Sequence, residues 1–353
     1  MKENDIQRPT LIINEEQARA NIKRMADKAR NAGVRFRPHF KTHQSALVGQ
    51  WFKDQGVSSI TVSSYSMAAY FADHGWNDIT IAFPINLREL DAIQELASRI
   101  ELGVLVDSSA TVSALEKQIS RPMRVWLKID TGYGRSGVHW DQTEQIIQLA
   151  RQLNEVSHLT FRGLLTHAGH SYHVRGSEAI QAVYRESTQR LQSVRTVLLD
   201  EGFRTVELST GDTPCCSVVD DFADVDEIRP GNFVYYDLMQ TQIGSCSDGQ
   251  VAVTVACPVV GIHPDRSEII IYGGGVHLSK DSVELEGHRV YGCLAEMDGN
   301  AIITIRRDAP VTGLSQEHGV IHVPSDILNS LQVGDLVYIV PAHSCMAVNC
   351  LRR

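Results

Sequence analysis

The sequence contains no apolar run approaching the roughly 18 residues of a membrane span, and its amino terminus, MKENDIQRPT, lacks the apolar core of a secretory signal. It also lacks an excess of basic residues, since 33 Lys and Arg stand against 42 Asp and Glu. The resulting net charge of −9 argues against a nucleic-acid-binding protein. We therefore expect a cytoplasmic protein with neither nucleic acid nor a membrane as a partner.

Cysteine is scarce and irregularly placed. The seven cysteines, at positions 215, 216, 246, 257, 293, 345 and 350, are odd in number and include no CxxC pair. Such spacing does not form a disulfide framework, and most of these residues are expected to be small buried side chains in a reducing compartment. Cys345 is the exception, because of the histidine two residues before it.

Short apolar, β-branched runs recur between residues 20 and 240, each followed by a stretch with helical periodicity. They include SSITVSS, DITIAFP, LGVLVDS, MRVWLKID and FRGLLTH. Eight strands alternating with helices over this length predict an α/β fold with a (β/α)8 TIM-type barrel. A doubly wound open sheet has a similar pattern and is the alternative.

After about residue 240 the pattern changes to strands separated by turns, as in SEIIIYGGG, NAIITIRR and DLVYIVPAH. This predicts a second, mostly antiparallel β domain over residues 241–353. The opening segment PTLIIN precedes the first helix, and we assign residues 1–19 to this second domain.

Polar and glycine-rich segments follow the predicted barrel strands, at the end where barrels place their functional residues. GYGRSG, residues 132–137, matches the dinucleotide fingerprint G-x-G-x-x-G, but the next strand ends in His167 where that fold uses an acid. STGDTP, residues 209–214, and RPGN, residues 229–232, end the seventh and eighth strands. Their backbone N–H groups could converge on a phosphate, or the two segments could be ordinary turns.

Two further motifs carry side-chain chemistry. In PAHSC, His343 and Cys345 are two apart, which would place an imidazole and a thiolate, ligands that favour zinc, on one face of a strand. In VRFRPHFKTHQS, residues 34–45, an extended backbone would bring every basic side chain to one face, namely Arg35, Arg37, His39, Lys41 and His43. An inward basic face requires compensating negative charge.

Together these motifs resemble those of the fold-type III pyridoxal-phosphate enzymes, in particular the D-serine dehydratase and D-threonine aldolase branch, whose barrel is that of alanine racemase. RPHFKTH resembles the lysine motif, KIDTGYGRSGV the segment after the fifth strand, RPGN the phosphate-side turn, and PAHSC the metal motif of the dehydratases. The resemblance extends over essentially the whole chain.

The resemblance implies roles for individual residues. Lys41 would hold pyridoxal 5'-phosphate as a Schiff base, Arg135 would approach its phenolic oxygen, and Arg229 its pyridine nitrogen. Zn2+, with Mn2+ as the alternative, would be bound by His343 and Cys345. Candidates for proton transfer beside the cofactor are His39, His43 and His167. The remaining cofactor-binding residues are Ser209, Thr210, Gly211, Gly231 and Asn232.

The implied activity is that of a lyase acting on a D-3-hydroxyamino acid. Cys345 at the second metal position favours a D-serine dehydratase, which would convert D-serine to pyruvate and ammonia. An aldolase acting on D-threonine or 3-hydroxyaspartate is the nearest alternative, followed by an amino-acid racemase and a non-enzymatic pyridoxal-phosphate carrier. The resemblance also implies a homodimer.

Overall fold

The computed structural model describes residues 5–352, which begin with strand β1 (Thr10–Ile13) and helix α1 (Glu15–Asn31). The chain divides into two compact units. We call residues 23–231 the barrel unit, and residues 1–22 with 232–353 the β unit. Within the described part of the chain, no helix has both the length and the apolar character that a membrane span requires.

The barrel unit is built on parallel strands that alternate with helices. Within residues 23–231 the strands are β2 (Arg35–Phe36), β3 (Ile60–Val62), β4 (Asp78–Pro84), β5 (Glu101–Val106), β6 (Met123–Asp130), β7 (Val138–His139), β8 (Leu159–Leu165), β9 (Glu207–Thr210) and β10 (Glu227–Ile228). They pair in the order β2-β10-β9-β8-β6-β5-β4-β3, with β7 beside β6. A parallel bridge from His39 to Thr61 in β3 joins the two ends of this path. The predicted barrel is confirmed, and the open sheet is excluded.

The helices of the barrel unit alternate with its strands along the chain, as the sequence pattern predicts. They are α2 (Ala46–Lys53), α3 (Tyr65–Asp73), α4 (Leu90–Ala97), α5 (Ser109–Gln118), α6 (Thr143–Glu155), α7 (Ser177–Asp200) and α8 (Thr213–Val218). Three of them begin after a serine whose hydroxyl accepts a hydrogen bond from the first turn, namely Ser45, Ser64 and Ser108. Such caps satisfy backbone N–H groups that a helix leaves without partners, so these serines serve the fold.

The β unit is an antiparallel structure. Its strands are β1, β11 (Val253–His263), β12 (Glu268–Tyr272), β13 (Val283–Leu285), β14 (His288–Val290), β15 (Gly292–Asp298), β16 (Ala301–Leu314), β17 (His318–His322) and β18 (Leu336–Pro341). The main sheet runs β1-β11-β12-β17-β16-β15-β18, and β18 also pairs with β11, which closes it around an apolar core that includes Val255, Ile271 and Ile339. The helices of the unit are α9 (Leu238–Ile243), α10 (Gly275–Leu278), α11 (Ser325–Ser330) and α12 (Ser344–Leu351).

Candidate functional site

The basic segment of residues 34–45 is extended only in its first half. Strand β2 ends at Phe36, the bridge at His39 is the last contact with the sheet, and residues 40–43 form a turn. Alternation of side chains between two faces holds only where the backbone is extended. The prediction that the five basic side chains share one face is therefore wrong, and each has a separate environment.

Arg37 is neutralised by carboxylates of the barrel itself. Its Nε donates to Glu227 at 2.8 Å, and its Nη1 donates to Asp78 at 2.7 Å. Burial alone would lower the pKa of Arg37, but these two carboxylates raise it above its usual value. Arg35 pairs with Glu207 in the same way. The two arginines of the segment are thus compensated by ion pairs and do not require a bound anion.

His43 lies in an aromatic layer between strands and helices. Its ring centroid is 4.3 Å from that of Phe40 and 5.4 Å from that of Phe52, with Phe71 also in contact. Its Nδ1 accepts a hydrogen bond from the backbone of Ser45 at 3.2 Å, and burial lowers its pKa to about 3. His43 is therefore neutral and packed among aromatic rings, and its role in proton transfer stays a prediction.

Two other histidines do lie with the basic groups at the carboxyl ends of the strands. Burial, followed by the positive charges of Lys41, Arg229, His167 and Arg135, lowers the pKa of His39 well below its usual value. The pKa of His167 is lowered in the same direction, by burial first and by Lys41 next. The structure therefore brings together five of the predicted site residues, and both histidines are neutral.

The hydrogen bonds of these histidines assign opposite tautomers. Nδ1 of His39 accepts from the backbone N–H of Lys41 at 3.3 Å, so the proton of its ring is on Nε2. Nδ1 of His167 donates to the carbonyl oxygen of Gly211 at 2.8 Å, which leaves the lone pair on Nε2. His39 can therefore donate a hydrogen bond and His167 can accept a proton.

The GYGRSG loop is organised around a carboxylate of the chain. Asp130, at the end of β6, accepts hydrogen bonds from the backbone N–H groups of Gly132, Tyr133 and Gly134 at 2.9 to 3.1 Å. Burial opposes the charged form, but these three bonds lower the pKa of Asp130. The N–H groups that a dinucleotide would need are thus already used, which excludes that interpretation. The loop instead presents Arg135, whose guanidinium lies 5.0 Å from the ring centre of Tyr133.

Arg229 is held rigidly inside the barrel. Its Nε donates to the hydroxyl of Ser209 at 2.7 Å and its Nη2 to the carbonyl of Thr166 at 2.6 Å. The same hydroxyl donates to Glu227 at 2.7 Å. Burial lowers the pKa of Arg229 to about 10, so it remains charged at neutral pH. The side chain of Ser209 therefore links Arg229 to Glu227, and its role at the cofactor stays a prediction.

The strand ends predicted to hold a phosphate lie side by side, because β9 and β10 pair in parallel with Ile228 opposite Thr210. A Cβ on Gly211 would come within 2.6 Å of the backbone of Arg229, and one on Gly231 within 2.9 Å of the carbonyl oxygen of His39. Glycine is thus required at both positions by close backbone approach. Backbone N–H groups in adjoining turns can bind an anion, so the phosphate role of these segments stays a prediction.

Lys128 is a site residue that the sequence analysis missed. It lies in β6 among apolar neighbours, it is buried, and its Nζ donates to the carbonyl of Ile129 at 3.0 Å. Burial, followed by the charge of Arg229, lowers its pKa to about 7. A lysine inside the otherwise apolar run VWLKID was the signal available, since lysine is rarely fully buried without a partner.

We expect Lys128→Met to remove a pH dependence of stability. The unfolded chain keeps this proton up to a pKa near 10.5, whereas the folded protein loses it near 7. Between these values the unfolded state binds more protons, so the free energy of unfolding rises with pH, by roughly 3 to 5 kcal/mol. Urea unfolding of the cofactor-free protein at pH 7 and pH 10 measures this rise. The increase in the free energy of unfolding between the two pH values should be smaller by that amount in Lys128→Met, and it should be unchanged in the exposed control Lys117→Met. The same increase in Lys128→Met as in the wild type would contradict the prediction.

The His–Cys motif lies in the β unit at the start of a helix and not on a strand as the sequence analysis predicted. Strand β18 ends at Pro341, His343 is the residue before α12, and Cys345 is in the first turn. The two residues lie together at the amino-terminal end of α12. Burial alone would lower the pKa of His343, but the Cys345 sulfur and a neighbouring carboxylate raise it well above its usual value.

That carboxylate belongs to Asp237, a fully buried residue that sequence reasoning missed. Its Oδ2 accepts from the backbone N–H of Ser344 at 2.8 Å and from the side chain of Asn232 at 2.6 Å. The Asn232 amide also donates to the Cys345 sulfur at 3.6 Å. The side chain of Asn232 thus contacts the motif, and the role of this residue at the phosphate stays a prediction. Burial opposes the ionised carboxylate, while the hydrogen bond with His343 and its other donors lower the pKa of Asp237.

The donors present fit each implied group. Lys41, Arg135 and Arg229 are basic groups near two neutral histidines. Such a set suits an anionic ligand, and the amine of Lys41 could react with an aldehyde on that ligand. His343 and Cys345 provide nitrogen and sulfur, the ligands that zinc prefers. Among the described residues no three His, Cys, Asp or Glu side chains converge as a metal site. A metal on this pair would therefore complete its coordination with water or substrate.

Two known protein families match successive parts of the chain. Residues 13–238 match the family described as "Alanine racemase, N-terminal domain". Residues 252–353 match a "serine dehydratase domain".

Relatives that match over nearly the whole chain are lyases. D-threo-3-hydroxyaspartate dehydratase of Delftia sp. is 30% identical over 348 residues, covering 96% of this chain and 90% of that protein. D-serine dehydratase of Dictyostelium discoideum is 27% identical over 97% of this chain and 91% of its own length. 3-Hydroxy-D-aspartate aldolase of Paracoccus denitrificans is 25% identical over 97% and 86%.

The solved structure of the Delftia dehydratase superposes with a TM-score of 0.89 at 29% identity, covering 98% of this chain and 93% of that one. Two further structures of that protein are of single-residue variants. One has a cysteine changed to alanine and is titled as the metal-free form, and the other has a histidine changed to alanine.

Proposed function

This chain belongs to the alanine racemase-like, fold-type III family of pyridoxal-phosphate enzymes, and from that premise we propose that it is a metal-dependent D-serine dehydratase. Its relatives are dehydratases and aldolases of D-hydroxyamino acids, so lyase activity on that class of substrate is supported. The choice of D-serine and of dehydration is the finer part of the proposal. Cys345 in the PAHSC motif, which resembles that of the dehydratases, is the observation that carries it.

Residues of the barrel unit would hold the cofactor. Lys41 would bind its aldehyde covalently, Arg135 would lie near its phenolic oxygen, and the rigidly held Arg229 near the pyridine nitrogen. Backbone groups of Thr210, Gly211 and Gly231 would bind the phosphate. When bound, the cofactor supplies an electron sink for loss of the proton at the substrate α-carbon. The family resemblance also supports a homodimer.

Lys41 and the residues around it would carry out proton transfer. A neutral amine can take a proton from carbon, and His167, whose Nε2 carries the lone pair, can accept a proton in turn. His39, with its proton on Nε2, can donate a hydrogen bond to an anionic oxygen. Neutral histidines among cations keep the pocket positive, which favours the substrate carboxylate.

His343 and Cys345 would hold Zn2+, or Mn2+ in its place. A metal ion there supplies Lewis acidity toward an oxygen that is otherwise a poor leaving group. The variants of the Delftia dehydratase support this assignment, because one of them lacks a cysteine and is titled metal-free.

The test is product analysis. Purified protein with pyridoxal 5'-phosphate and Zn2+ is incubated separately with D-serine, D-threo-3-hydroxyaspartate and D-threonine, and with the L-enantiomer of each. We expect a 2-oxo acid and ammonia from D-serine. Glycine together with an aldehyde would establish the aldolase alternative. Turnover of D-threo-3-hydroxyaspartate alone would show that this compound, and not D-serine, is the substrate. Interconversion of enantiomers would indicate a racemase.

A further inference from the structure

Asp237 divides its two oxygens between two tasks. Its Oδ1 accepts from the backbone N–H of Gln240 at 2.9 Å and so caps helix α9. Its Oδ2 takes no part in that cap and faces a segment 107 residues later in the chain, where it accepts from the N–H of Ser344. Nδ1 of His343 lies 3.2 Å from the same Oδ2, although the angle between the two groups is not that of an ideal hydrogen bond. Helix capping alone would not require this second set of contacts.

The contacts of Oδ2 determine which nitrogen of His343 can bind a ligand. A carboxylate surrounded by N–H donors can only accept, so the His343 nitrogen nearest to it must carry the ring proton. Nε2, away from Asp237, is then the nitrogen whose lone pair a metal ion can use in place of a proton. In metal sites a histidine commonly donates its other ring N–H to a carboxylate in this way, which orients the ring and increases its basicity.

Asn232 performs the corresponding task for the cysteine. Its Nδ2, which carries two hydrogens, lies 2.6 Å from Oδ2 of Asp237, 3.0 Å from the Ser344 hydroxyl and 3.6 Å from the Cys345 sulfur. All of these side chains except that of His343 are less than a tenth exposed. An N–H group directed at the sulfur favours one orientation of the cysteine side chain.

We propose that Asp237 and Asn232 are positioning residues that orient His343 and Cys345 for a divalent metal ion, with Asp237 selecting the Nε2 lone pair and Asn232 orienting the sulfur. This inference rests on the metal site of the proposed function. Asp237 acts through His343 and is not itself a third ligand, since the described residues contain no converging group of three.

The experiment measures metal binding and not turnover. Holoenzyme is stripped of metal, and Zn2+ affinity is determined by competition with a chromophoric chelator for the wild type, Asp237→Asn and Asn232→Ser. Asp237→Asn retains the size of the side chain and a residue type that caps helices well, but it can place an NH2 group against the donors at Oδ2. We expect affinity to fall 10- to 100-fold in Asp237→Asn and several-fold in Asn232→Ser. The absorption spectrum of the Co2+-loaded protein should change with each variant, because the geometry at the sulfur and nitrogen changes.

Asp212→Asn is the matched control. Asp212 is also a buried aspartate that caps a short helix, accepting from Cys215 N–H at 2.8 Å. It lies in the barrel unit, and its carboxylate also accepts a hydrogen bond from the Ser171 hydroxyl. The Zn2+ affinity of the Asp212→Asn variant should equal that of the wild type. Thermal unfolding establishes that each variant is folded.

The outcomes separate the two proposals. Wild-type Zn2+ affinity in a folded Asp237→Asn would overturn the inference and leave the proposed function standing. Should Asp237→Asn not fold, the same result in Asn232→Ser would overturn it. A wild-type protein that binds neither Zn2+ nor Co2+ would overturn both.

Discussion

Lys41→Ala should abolish release of 2-oxo acid from D-serine, lowering kcat/KM by at least about a thousandfold. The proposed reaction depends on a covalent bond from Nζ of Lys41 to the cofactor aldehyde, and on the same amine as the base near the α-carbon. Alanine removes both functions, whereas Arg135 and the backbone groups proposed to bind the anionic parts of the cofactor remain. Cofactor binding should therefore be weakened less than turnover. Steady-state kinetics and equilibrium dialysis of the cofactor measure the two quantities.

Borohydride reduction followed by peptide mass spectrometry tests the attachment directly. A pyridoxyl group should be found on the Lys41 peptide of the wild type and be absent from that position in Lys41→Ala. Lys117→Ala, an exposed lysine on α5, is the control and should retain both the adduct and the activity. Attachment to the buried Lys128 in the wild-type protein would contradict the assignment of Lys41.

Removal of the metal should have the second-largest effect. Dialysis against a strong chelator, or Cys345→Ser, should lower the rate of product release by at least about a hundredfold, while the absorbance of the protein-bound cofactor remains. The physical reason is that hydroxide is a poor leaving group without a Lewis acid. Readdition of Zn2+ should restore the chelated wild type and leave Cys345→Ser inactive.

Cys350→Ser is the control for this prediction, because it removes a partly buried cysteine from the same helix without touching the PAHSC motif. It should bind metal and turn over like the wild type. Undiminished release of 2-oxo acid by protein shown to be metal-free would contradict the metal role.

The fold could be predicted because its signals are local. Buried parallel strands such as β5 and β6 appear as short apolar runs, amphipathic helices such as α6 have their own period, and the antiparallel strands of the β unit lack intervening helices. The candidate residues at strand ends could also be found, since a barrel places its functional groups there. The family motifs then assigned chemistry to individual positions.

Several side-chain contacts could not be predicted from the sequence, because the partners are distant in the chain. Arg37 looked like one member of a basic wall, but it is paired with Glu227, 190 residues later. Ser209 links Arg229 to Glu227, and Asn232 turns toward Cys345, 113 residues away. His43 was placed by an alternation that ends where the backbone turns after His39. Lys128 and Asp237 carry no motif of their own.

What can be read from residue order is whatever depends on neighbouring residues: hydrophobic period, helix caps, turns and the short motifs that carry Lys41, His343 and Cys345. Which buried charge meets which partner depends on the path of the chain through space. That path decides whether a basic side chain is compensated by a carboxylate of the protein, as at Arg37, or lies beside two neutral histidines, as at Lys41. Burial makes each such pairing energetically decisive, and burial is a property of the folded chain.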